Sequence, residues 1–415
     1  MADLCHRRKT LLFAIFCLTL LGFLLVQFAR PALWNTFQTQ MEKMSQEPNL
    51  AKSEKMSQEP NLAKSEKMSQ EPNLAKSEKM SPEPNLAKSD VPVQYTNTRN
   101  TTVLVWYWAF GRTCGYCRQH LQPNVCQERY GIPNCILSDD RSLFPQADYI
   151  IFHNRELIEY TEKLPEKLSR PPNQAWVWFS RETPPHNGNT RFLAGKFNYT
   201  LFYRRDSDFF MPFGWLVPRK DTTGITLDDV VPKEKTHLAC WVVSNFQAHH
   251  ERTKFYNKLK QVMPVEVWGG GVNRRLSDDD LLPTLSRCYF YMSFENSIFP
   301  DYISEKVWIN AFEGGAIPVV LGPPRKTYEE MLPKDSFIHV NDFKSVGELA
   351  EFLKNLSKDK ERYASYFRWK LNYTTHSFAG KKDWLVEPFC RVCIQQNTLQ
   401  RPKVYQDLHG WQWKS

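Results

Sequence analysis

Four polar residues crowd one short stretch, SFENSIFPDYISEKVWINAFEGGAIPVVLGPPR, residues 293 to 325: Glu295, Asn296, Glu305 and Lys306. They stand where an apolar run, YFYMSF, should end as a strand and where a helix spanning 302–313 should begin. Ligands of open α/β sheets bind beyond the carboxyl ends of the strands. Helix N-terminal amides attract phosphate, and Lys306 in the first turns adds a full positive charge. Glu305 can accept from sugar hydroxyls, and Tyr302 offers a ring and a hydroxyl. A phosphate-bearing, sugar-like ligand fits. The plainer alternative is that Glu305 and Lys306 are a solvated helix face.

The preceding strand end, VVSNF, repeats the pattern with Ser244 and Asn245, and Arg252 follows in the next helix. Arg252 and Lys306 together suit a diphosphate leaving group. Earlier, AWVWFSRETPPH sets Glu182 just past another strand. Partly desolvated among Trp176, Trp178 and Phe179, it would serve as a general base; an exposed loop Glu is the commoner case. The triplet Asp206-Ser207-Asp208 resembles a metal-holding D-x-D. It lies away from the phosphate site, so a structural role beside Arg204 and Arg205 ranks above it. In SDDDLL the acids read as a helix start.

These residues need strands and helices in alternation. TTVLVWYWAF, ADYIIFHNRE and AWVWFSRET predict three strands, with a helix-like LIEYTEKLPEKL between the last two. From His237 a second series runs strand, helix, strand, helix, strand, helix, strand. This predicts an α/β fold with two Rossmann-like domains facing across a cleft. The expected domains are an N-terminal one at 101–230, a C-terminal one at 231–385 and a tail at 386–415.

The N-terminus sets the compartment. Residues 10–29 are apolar and uncharged, long enough to span roughly 30 Å of hydrocarbon. His6-Arg7-Arg8-Lys9 precede them, so residues 1–9 stay cytosolic. The run is long for a cleaved signal peptide and lacks an A-x-A-like site, so a type II signal anchor is expected, with the bulk of the chain lumenal. Residues 30–100 form a stem, in which EKMSQEPNLAKS begins at 42, 54 and 66 and a Pro variant at 78. These units are polar, Pro-punctuated and too short for a helical solenoid. Beyond the anchor lie eight cysteines, Cys114, Cys117, Cys126, Cys135, Cys240, Cys288, Cys390 and Cys393, a number that fits disulfides in an oxidising lumen better than zinc. Sequons at Asn100, Asn198, Asn355 and Asn372 are compatible with glycosylation there. The formal charge is +9, yet no basic tract with interleaved aromatics marks nucleic acid as a partner.

FENS with DYISEK and IPVVLGPPR resembles the α1,3-fucosyltransferase family (Lewis type, glycosyltransferase family 10). So do CWVVSN, YRRDSD, DRSLFPQADYIIFHNRE and VWFSRETPPH, covering about Thr101 to Trp413. VYQDLHGW and RRDSD…PRK look most like members that make sialyl-Lewis structures. The resemblance implies a GT-B fold and GDP-fucose as donor. It implies inversion by single displacement, no required cofactor or bound metal, and residence in the Golgi membrane. The acceptor would be the 3-hydroxyl of GlcNAc in N-acetyllactosamine-type glycans on glycoprotein or glycolipid. Glu182 would be the base. Val242, Ser244, Asn245, Arg252, Tyr291, Asn296, Tyr302, Glu305 and Lys306 match donor positions; Arg112, Glu182, Thr183, Pro184 and Phe213 match acceptor positions. Cys126 and Cys135 would pair with Cys390 and Cys393, and Cys240 with Cys288.

Three departures bear on the acceptor. Arg112 replaces a family Gln, Phe213 replaces a family Tyr, and GYCRQHLQPNVC is inserted, leaving Cys114 and Cys117 to pair with each other or stay free. Two alternatives therefore stand beside the leading one: a transferase using another acceptor, such as an internal GlcNAc, and a non-catalytic glycan- or nucleotide-binding protein.

Overall fold

β3 (Tyr149–His153) and β4 (Ala175–Phe179) are buried at every position, the mark of parallel strands covered on both faces. With β1 (Thr101–Val105), β2 (Cys135–Ser138), β5 (Tyr199–Phe202) and β6 (Phe209–Phe210) they form a parallel sheet in the order β2-β1-β3-β4-β5-β6. The computed structural model describes residues 99–111, 124–378, 385–395, 399 and 403–414. The expected anchor, the repeats, Arg112, Cys114 and Cys117 lie outside the described residues. Among those described, no helix is long and apolar enough to cross a membrane.

Side chains alternate across this sheet. Ile150, Phe152, Trp176, Trp178 and Phe202 pack on one face; Tyr149, Ile151, Val177, Phe179 and Leu201 pack on the other. The C-terminal tail covers part of both. Leu408 and Trp411, from helix Leu408–Gln412, join the first cluster, and Phe389 and Val392, from helix Val386–Gln395, join the second. Disulfide Cys135–Cys393 fastens the latter helix to β2, and Cys126–Cys390 fastens it to a short helix, Val125–Tyr130. The helix expected over 157–168 is not there. A short helix, Asn154–Ile158, is followed by Tyr160, whose φ is 55°, and Thr161 and Glu162 fold back onto the Glu156 carbonyl. Pro165 then prevents any continuation.

The second sheet is also parallel, ordered β12-β11-β10-β8-β9: β8 is His237–Val242, β9 Glu266–Trp268, β10 Cys288–Phe294, β11 Ile317–Leu321 and β12 Ile338–His339. Cys240–Cys288 ties β8 to β10. Helices Glu251–Leu259, Asp278–Ser286, Arg325–Met331 and Val346–Leu356 accompany the strands. Ser277 caps the second of these by accepting from the Asp280 amide.

Several contacts among the described residues link the two halves or fix the chain between them. β7 (Gly214–Pro218) pairs antiparallel with β13 (Tyr373–Ser377), which follows the second sheet in the chain. Gly214 is required there, because a Cβ would lie 2.6 Å from a Trp308 ring carbon. Arg205 bonds Asp301 at 2.9 Å and Glu330 at 2.6 Å, so its partners are not the expected Asp206 and Asp208. In the connector, Lys235 Nζ donates to the carbonyls of Ser286, Cys288 and Gly315.

Of the sequons, Asn100, Asn355 and Asn372 are exposed. Asn198 is half-buried: its Nδ2 donates to the Lys403 carbonyl at 2.8 Å, so a glycan there competes with the tail. Replacing Cys390 and Cys393 with Ser should cost about 2–5 kcal/mol per bond lost. Thermal denaturation reads this as an earlier transition; an unchanged transition would mean the tail is held without its disulfides.

Candidate functional site

In the second sheet, chain order reverses between β8 and β10, the position where open α/β sheets bind ligands. β8 ends at Val242, leading to exposed Ser244 and Asn245; β10 ends at Phe294, leading to Glu295 and Asn296. The proposed phosphate-site residues therefore come from the two strand ends flanking the switch.

Glu295 organises the loop that follows. Its side chain is fully buried and accepts from the Ser304 amide and hydroxyl, both at 2.8 Å. Residues 302–304 lie outside the helix expected to start at 302. The helix runs instead over Lys306–Glu313 after Glu305, and it is π-wound: the Gly314 amide bonds the Ile309 carbonyl, five residues back. π turns recur at functional sites.

Lys306 is buried at the helix start, and its Nζ reaches Ser304 Oγ at 2.7 Å, Glu295 Oε2 at 3.0 Å and Glu305 Oε1 at 3.0 Å. An ammonium has three N–H bonds, so it is fully satisfied. Burial alone would lower its pKa, but the two carboxylates hold it raised. Burial pushes Glu295 up, with Lys306 opposing. Burial also pushes at Glu305, yet Lys306 outweighs it and keeps that carboxyl below its ordinary value.

Arg252 is buried and donates to the Asn245 carbonyl at 2.7 Å. Its Nε and the Oδ1 of Asn296 are buried with no hydrogen-bond partner among the described residues. Native proteins rarely leave such atoms unsatisfied, so these two count toward a ligand. Burial lowers the Arg252 pKa against the pull of Glu295, Tyr302 and Glu305.

Two expected donor residues face inward. Tyr291 is wholly buried and bonds Asn310 Nδ2 at 2.8 Å. Tyr302 is buried against the first sheet's aromatics, 4.9 Å from the Tyr203 ring and 5.6 Å from Phe213. The Tyr291 hydroxyl is thus engaged by Asn310, and the Tyr302 ring packs on the first sheet's aromatics.

On the first sheet, Glu182 follows β4 and is exposed, not desolvated as expected. β4 buries Trp176, Trp178 and Phe179 within the sheet's two faces, and Glu182 stands three residues beyond. It lies near enough to Tyr302 and Arg181 to act on both electrostatically. Arg181, absent from the sequence-based set, lays its guanidinium 4.0 Å from the centre of the Phe213 ring. Burial brings its pKa down to about 10, against the carboxylates of Glu305 and Glu182. Its position beside Glu182 was the available signal. Thr183 and Pro184 are buried, Pro184 opening a short turn. Asp206 bonds Arg204 at 2.6 Å, while Asp208 binds Thr200, Tyr405 and Lys403, so this pair is engaged structurally.

The class is thus an α/β protein of two parallel sheets, with a polar, cation-bearing site at one sheet's switch point and an exposed carboxylate beyond a strand of the other. Residues 98–214 match the fucosyltransferase N-terminal model, and 232–411 match glycosyltransferase family 10 (fucosyltransferase), C-terminal. The chain is 43% identical to rat α-(1,3)-fucosyltransferase 7 over 75% of this chain and 79% of that protein. It is 40% identical to human 4-galactosyl-N-acetylglucosaminide 3-α-L-fucosyltransferase 9 over 75% of this chain and 82% of that protein. A solved α1,3-fucosyltransferase with GDP-fucose aligns at a TM-score of 0.45 and 18% identity, covering 80% of this chain and 95% of that one. The chain belongs to glycosyltransferase family 10, the fucosyltransferases.

Lys306→Met should strand the Glu295 charge in the interior and cost about 3–5 kcal/mol. Adding Glu295→Gln should recover most of that loss in chemical denaturation. If the double variant is no more stable than Lys306→Met, the pair is not the buried unit described.

Proposed function

We propose that this protein transfers fucose from GDP-fucose, with inversion, to the 3-hydroxyl of N-acetylglucosamine in N-acetyllactosamine-type glycans, from a lumenal position behind a Golgi signal anchor over residues 10–29. Family membership supports the reaction class, and the names of the relatives support linkage and acceptor. The three disulfides among the described residues suit an oxidising compartment. The observation that carries the reading is the pair of buried, unpartnered atoms, Arg252 Nε and Asn296 Oδ1, beyond the ends of β8 and β10 at the switch point.

The acceptor hydroxyl attacks the fucose anomeric carbon as Glu182 takes its proton, and the bond from that carbon to the diphosphate oxygen breaks. Charge grows on GDP. Arg252 and Asn296 meet the donor with their unspent buried atoms. Lys306 exchanges Glu305, its most exposed partner, for phosphate while keeping Glu295 and Ser304. Released, Glu305 accepts from donor hydroxyls. Such fixed charges stabilise a transition state without reorganising. Phe213 cannot make the hydroxyl bond of a Tyr, but its ring supports Arg181.

The purified full-length chain, given GDP-fucose with plain and sialylated lactosamine, should form a 3-linked fucoside on at least one. Glu182→Gln should lower turnover by about 10²–10⁴-fold with donor affinity kept. Donor binding without transfer to any acceptor would favour a binding protein, and near-normal turnover in Glu182→Gln would remove that residue from the role.

A further inference from the structure

Glu182 is exposed, yet its backbone is held from both sides. Its amide donates to Ser180 Oγ at 3.1 Å, and its carbonyl accepts from Asn187 Nδ2 at 3.0 Å. Ser180 Oγ in turn donates to Asn187 Oδ1 at 2.6 Å. Asn187 Nδ2 also donates to Gln412 Oε1 at 2.7 Å, across 225 positions of sequence. Gln412 Nε2 completes the line by donating to Thr190 Oγ1 at 2.8 Å. Ser180, Asn187, Thr190 and Gln412 are all buried.

The far end is anchored equally well. Arg204, buried after β5, donates from Nη1 to the carbonyls of Trp411, Gln412 and Lys414 at 3.1, 3.1 and 2.9 Å. Trp411 packs edge-on to Trp178 of β4, 6.5 Å between centroids. Helix Leu408–Gln412 therefore sits where its last side chain touches the loop carrying Glu182.

We propose that Gln412 is a positioning residue for the transfer step: through Asn187, and with Ser180, it sets the position of the Glu182 backbone and so the distance from the carboxylate to the acceptor hydroxyl. This rests on the reading of Glu182 as the base. Buried polar networks are stiff when every member is satisfied. A proton-accepting group displaced by about 1 Å can lose about 10²-fold in rate. Gln412→Leu keeps the side-chain bulk and removes its hydrogen bonds to Asn187 and Thr190, with a longer one to the Leu408 carbonyl. It leaves Asn187 Nδ2 with one fewer acceptor and frees the loop to shift.

A double-mutant cycle tests this, using full-length protein and turnover per GDP-binding site. Gln412→Leu alone should lower turnover about 10–100-fold with GDP-fucose affinity unchanged. In the Glu182→Gln background, where no base remains to be positioned, the same change should cost at most about twofold. A purely structural role would cost the same factor in both backgrounds, and that result overturns the proposal while leaving the base assignment standing. If Glu182→Gln turns over normally, the base assignment fails and this inference fails with it. Should Gln412→Leu not fold, Ser180→Ala, which removes one oxygen, runs the same cycle with the same expectations.

Discussion

A buried lysine must be compensated, and the way Lys306 is compensated shapes the second half of this protein. Its ammonium is closed by Glu295, Ser304 and Glu305. Glu295 comes from the end of β10, whereas Ser304, Glu305 and Lys306 come from the loop and helix start that follow. One buried charge thus pins a strand end to a helix start. Removing either partner alone leaves an uncompensated ion in the interior, so the constraint is strict. The same carboxylate fastens the turn before the helix by accepting from the Ser304 amide.

That turn reaches the other sheet. Tyr302 packs among Tyr203 and Phe213, and Asp301, held at a φ of 60°, receives Arg205. Arg181 completes the contact from the Phe213 side and responds to Glu305. The contact between the sheets is therefore built partly from charges that restrain one another, beside Arg252 and Asn296, whose Nε and Oδ1 are buried without a partner among the described residues. The C-terminal tail plays the matching part for the first sheet, covering both its faces and reaching the Glu182 loop through Gln412.

Much of this was legible in the sequence, and the failures have physical causes. β3, β4, β8, β10 and β11 read as strands because parallel strands are unbroken apolar runs. The switch-point residues followed, since they directly succeed those runs. DYISEK reads as helical from its start, whereas the helix begins only after Glu305, with Ser304 bound by Glu295, nine residues earlier. Glu182 was expected to be desolvated by neighbours in sequence, but the strand pleat turns those rings into the sheet faces. Arg205 was assigned to the nearest acids and binds distant ones, Asp301 and Glu330. Gln412 and Asn187 carried no signal at all, because a contact across 225 positions leaves no trace in local pattern.

The central claim is that the donor nucleotide sits at the β8–β10 switch, over Ser244 to Arg252 and Glu295 to Lys306. Hydrogen–deuterium exchange of the full-length chain with and without GDP tests it most directly. Slowed exchange in those two segments, with the rest of the second sheet little changed, is the predicted result. Protection confined to other segments, with these two unaffected at saturating GDP, would contradict the account.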